Sequence, residues 1–185
     1  HQRRVVWLVA DFAVFVWDRP YTRELPECLP RLDPKLREDF ATRIGTHLGN
    51  MDVAARETLW LRWLEAYWRA RIEGSPVRLD AVEATGMLAW LLCLDERFPD
   101  GVALAIQMPE VGRLGMFVHR LCREGDLLRR FPEASGRLLL YFVRSRQLTQ
   151  NELVQIETKL PAVPAELRAE LDEAIAEAGL YSVNG

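Results

Sequence analysis

Lysine is almost missing from this chain. Lys35 and Lys159 are the two, and the other 22 of 24 cationic side chains are arginine. That bias follows genomic base composition and carries no functional message. Cysteine is also scarce. Cys28, Cys93 and Cys122 make an odd, widely spaced set, which excludes a disulfide framework and leads us to expect a reducing, cytoplasmic setting. His119 and Cys122 lie three apart on one helix face, a spacing that suits two metal ligands or a thiolate–imidazole pair. No second Cys/His pair completes a zinc site, and His47 and Cys28 stand alone in the sequence. No metal and no cofactor are therefore expected. The glycine-rich phosphate loop, G-x-S-x-G and H-E-x-x-H are absent, so no catalytic residue is assigned.

A long apolar run is lacking too. Val5 to Trp17 spans 13 residues with Asp11 as its single charge, whereas a membrane helix needs about 20, so we read a core helix and expect no membrane partner. No pair of strands joined by a hairpin turn appears. The net charge of −3 speaks against a dedicated nucleic-acid binder. At 185 residues the chain fits a single helical domain over 1–185. It starts at His1 rather than Met, as a piece of a longer protein would.

What is present is tryptophan in one place. Four of the six, Trp60, Trp63, Trp68 and Trp90, fall between Trp60 and Leu94. The spacing predicts a helix over about 52–72 with Trp60, Trp63, Leu64, Tyr67 and Trp68 on one face and Thr58, Arg62, Glu65, Arg69 and Glu73 on the other. Trp60, Trp63, Tyr67, Trp68 and Trp90 form the expected aromatic core. Arg71 projects into that aromatic face. Its guanidinium must stack on a ring, snorkel past the helix end, or pair with a carboxylate. The structural pair we single out is Arg71 with Glu83, which would fix how two helices cross. Asp80 at N-cap with Glu83 three residues on resembles a capping box, and it opens a second helix to about Leu94 that is apolar on nearly all sides and hence buried. Gly86 within it marks a close helix–helix approach. The two helices are expected to form an antiparallel hairpin.

The remaining signals are helical as well. Residues 3–17 read as a helix. Pro20, Pro26 and Pro30 make 18–33 a loop with room for one helical turn. Asp33-Pro34 starts a helix to about Leu48, stopped by Gly49 and Asn50. F-P-D at 98 and F-P-E at 131, 33 residues apart, each open an apolar helix; between them lies a helix from about Glu110 to Arg123, closed by Gly125. Thr149 with Glu152 is a capping box, and Pro164 starts a last helix ended by Gly179. A period near 33 built of helix pairs is what stacked repeats produce. The expected fold is all-α, antiparallel helical hairpins stacked as a HEAT/armadillo-like or irregular array.

Charge is unevenly spread. Residues 113–146 carry eight arginines against Glu124, Asp126 and Glu133, a net of +5; from Gln147 onward seven acids face Lys159 and Arg168, a net of −5. The two segments either face each other or the first is a docking surface for an acidic partner or nucleic acid, with Arg113, Arg120, Arg123, Arg129, Arg130 and Arg137 as its candidates. The weight lies with the internal pairing. Asp95, Glu96 and Asp100 form an acidic loop of the kind that is usually just solvated.

The pattern W-x-x-W-L-x-x-Y-W-x-x-R-x-x-G-x-P-x-x-L-x-x-x-E-x-x-x-M-x-x-W runs through Trp60, Trp63, Leu64, Tyr67, Trp68, Arg71, Gly74, Pro76, Leu79, Glu83, Met87 and Trp90. With F-P-D at 98–100, D-L-L at 126–128 and the F-P-E-A helix, it resembles domain of unknown function 4020, best over 55–145. The resemblance implies a helical domain lying C-terminal to a sirtuin-type NAD-consuming module in bacterial anti-phage defence proteins. This chain would then be the non-enzymatic part, which holds that module inactive, assembles it, or senses a phage component; a homo-oligomer is compatible. A self-contained enzyme with a pocket near His119, Asp95 and Glu96 is the alternative, and a nucleic-acid sensor using the 113–146 arginines is the third reading.

Overall fold

The computed structural model describes residues 2–15, 28–74, 77–109, 111–123 and 126–181. The expectations placed on Trp17, Pro20, Pro26, Pro76, Glu110 and Gly125 lie outside the described residues.

The described chain is an all-α array with no strand. Helix α1 (Gln2–Phe15) lies on α2 (Pro34–Asn50). A short 3₁₀ turn at Leu29–Arg31 precedes α2, and the Asp33 carboxylate caps it by accepting from the Lys35 amide at 2.9 Å. Gly49 and Asn50 do not stop α2, which runs through both and ends on an extended Met51. Val53–Leu59, a π turn at Trp60–Leu64 and Glu65–Glu73 follow one another as a single rod, α3. Gly74 ends it at φ 78°, a left-handed position where glycine alone is unstrained.

Helix α4 (Ala81–Leu88) tightens into a 3₁₀ turn at Ala89–Cys93. Its closest backbone approach is to α2 rather than to the tryptophan rod. A Cβ built on Gly86 would lie 2.9 Å from the Ala41 Cβ, so the small residue is needed there because α2 and α4 touch. The rod joins α4 through side chains instead. Trp68 and Trp90 meet edge to face at 5.5 Å, and Trp60 and Trp68 at 6.1 Å.

After a 3₁₀ turn at Asp95–Arg97 come α5 (Phe98–Ala105), α6 (Gly115–Leu121), α7 (Leu127–Arg130), α8 (Pro132–Arg144), α9 (Gln150–Glu157) and α10 (Ala165–Glu177). The two Phe-Pro-acid helices, α5 and α8, pack on each other, and Phe98 and Phe131 stack at 5.8 Å. Helix α6 begins five residues after the expected start. Thr85 explains the delay, because its Oγ1 accepts from the Gly112 amide at 2.8 Å and fastens residues 111–114 to α4 as non-helical chain. Thr149 and Glu152 make both halves of a capping box at the head of α9. Buried apolar side chains connect into one core from Val6 to Ile175.

Candidate functional site

The first place where chemistry concentrates is buried. Glu83 turns inward from the first turn of α4. Its Oε1 accepts from Arg71 Nε at 2.7 Å, and its Oε2 from Arg71 Nη2 and Arg37 Nε, both at 2.9 Å. Arg71 also donates to the Val77 carbonyl at 2.9 Å, and Arg37 to the Leu32 carbonyl at 2.7 Å and to Asp80. Side-chain exposure is 0% for Arg71, 1% for Glu83 and 6% for Arg37. Two guanidiniums and two carboxylates thus balance in charge. Asp80 alone caps α4, accepting from the Val82 and Glu83 amides at 3.0 Å; Glu83 is not the second half of a capping box, because the arginines hold its carboxylate. Burial raises Asp80's proton affinity, but the Glu83 amide and Arg37 outweigh it and leave the carboxyl below its ordinary value. Burial pushes the fully enclosed Tyr67 phenol far up. Such a network holds three helices together.

Arg37 is the member that the sequence reading missed. It occupies a stripe with Ala41, Ile44 and Leu48, spaced as one helix face requires, and that placement was the available signal. Around the network Trp60, Trp63, Tyr67, Trp68 and Trp90 are all buried. Trp63 and Tyr67 stack at 5.2 Å, and the Trp90 indole donates to the Ala41 carbonyl at 2.8 Å. The indole N–H groups of Trp60 and Trp68 meet no nitrogen or oxygen acceptor; they sit among edge-to-face ring contacts, where ring faces can serve as weak acceptors.

The chemistry-bearing side chains nearer solvent are dispersed. Exposed His119 lies 3.3 Å from Arg123, Asp95 is paired with Arg56 at 2.9 Å, and Glu96 with Arg130. Cys93 is buried, and burial raises the thiol of half-buried Cys122. His47, alone in the sequence, is not alone in space: its Nε2 is 2.6 Å from Asp11 Oδ1. Among the described residues no group of three or more His, Cys, Asp or Glu side chains is placed to hold a metal, and no helix is long and apolar enough to cross a membrane.

The candidate docking arginines lie on α6, α7 and α8, in the segment before α6 (Arg113) and in the turn after it (Arg123). Arg129 faces Asp126 at 3.8 Å, Arg137 faces Glu133 at 2.8 Å, and Arg144 reaches Glu170 of α10 at 3.3 Å. Arg130, besides Glu96, lies over the Phe131 ring at 5.1 Å. Arg113 and Arg123 are exposed. Acids from several elements therefore dilute the positive field of 113–146.

The open surface is elsewhere. Val5, Leu8 and Phe12 are 57%, 56% and 56% exposed, at i, i+3 and i+7 on the face of α1 turned away from α2. The opposite face of α1 buries Val6, Ala10, Ala13 and Val14. Ion pairs fix its orientation: Arg3 meets Asp39 at 2.9 Å, and Arg43 Nε donates to Asp11 at 2.7 Å. Trp7 lies between Arg3 and Arg43, at 5.0 and 5.7 Å. A helix apolar on two opposite faces belongs between two layers, and among the described residues only the α2 side supplies one.

The family described as domain of unknown function (DUF4020) matches residues 15–171. The chain belongs to this family. No curated protein and no solved structure matches the chain. The DUF4020 match takes in the buried ion network, the aromatic core and the two Phe-Pro helices. It begins where α1 ends, so the outward face of α1 precedes it.

Proposed function

We propose that this DUF4020 chain is a non-catalytic helical interaction domain that controls or assembles an attached NAD-consuming effector module of a bacterial anti-phage defence protein. The observation that supports it is the apolar outer face of α1, where Val5, Leu8 and Phe12 stand more than half exposed although apolar residues arranged this way normally gain about 25 cal/mol for each Å² they remove from water. A contiguous exposed apolar strip marks a site of association. The buried acids and bases Glu83, Arg71 and Arg37 are engaged with one another and hold three helices together, which suits a scaffold. The test is to express the NAD-consuming module alone, fused to this domain, and fused to its Leu8→Glu variant, and to measure NAD consumption in each. The reading expects the intact domain to change the rate and the variant to lose part of that effect. Identical rates in all three, with no partner recovered on the domain, would end it.

A further inference from the structure

We draw no further inference here: the strongest candidate, the apolar outer face of α1 with the groove of about 410 Å³ beside it, carries nothing beyond the reading above, because nothing among the described residues shows what covers it.

Discussion

Replacing Glu83 by Gln keeps the shape of the side chain and removes its charge. Two guanidiniums then lose their shared carboxylate in the interior. Arg37 retains Asp80, which is 30% exposed, and the Leu32 carbonyl. Arg71, fully buried, retains the Val77 carbonyl and the Tyr67 phenol, both neutral. Leaving one side of a buried pair uncompensated costs about 3–5 kcal/mol, against a total stability of about 5–15 kcal/mol for a domain. For a chain of this size each kcal/mol lowers the melting temperature by about 2–4 °C, giving a fall of about 6–20 °C. In urea, with a slope of about 2 kcal/mol per M, the midpoint should drop by about 1.5–2.5 M. The double change Arg71→Met with Glu83→Leu removes one charge of each sign and leaves Arg37 on Asp80. It should regain at least half of the loss, because buried pairs replaced together by apolar groups are often neutral. A urea midpoint within about 0.3 M of the parent for Glu83→Gln alone would refute the reasoning, since it would mean that water already reaches the network.

Three further outcomes follow from the same geometry. Gly86→Ala gains about 1 kcal/mol of helix propensity, but its Cβ meets the Ala41 Cβ at 2.9 Å, an atom fixed to the backbone, at a cost of about 1–3 kcal/mol; thermal melts should show a net loss, relieved by Ala41→Gly in the same chain. Asp80 has a folded value below its ordinary 3.8, so its stabilisation is fully present above that value and lost as pH falls through the lowered one; urea midpoints of Asp80→Asn between pH 3 and 7 should lie below the parent at neutral pH and converge on it in acid. Arg137→Ala removes a pair whose side chains are 58% and 59% exposed, and equilibrium unfolding should register a change of about 0–1 kcal/mol.

The tryptophan rod, the capped start of α4, the capping box of α9 and the two Phe-Pro helices were legible because each is written locally: a 3.6-residue stripe, a carboxylate or hydroxyl at N-cap, a proline in a first turn. The elements read differently by the structure depend on distant partners. Gly49 and Asn50 look like a stop, yet α2 continues through both and Leu48 stays fully buried. The residues before Gly115 look helical, yet Thr85, 27 positions back from Gly112, takes their backbone. Glu83 was visible as an acid near Arg71, whereas the participation of Arg37, 46 positions away, needed the α2–α4 contact. The π turn in the rod leaves no mark in a 3.6-residue periodicity. As for the candidate site, the aromatic core could be named from the sequence, but the apolar outer face of α1 could not, because a sequence apolar on all sides says "buried" and only packing shows which side has no neighbour.

Helix α2 ties these observations to one another. Through Asp39 and Arg43 it holds α1 by charge and through His47 by a hydrogen bond to Asp11, through Ala41 it touches α4 at Gly86, and through Arg37 it enters the buried network. The α1–α2 contacts at Asp11 and Asp39 lie partly at the surface and are screened by salt, while the Arg37 and Gly86 contacts are enclosed and are not. Salt can therefore loosen the polar part of the α1–α2 contact, while the inner side of α1, through Val6, Ala10, Ala13 and Val14, and the α2–α4 junction behind it stay enclosed.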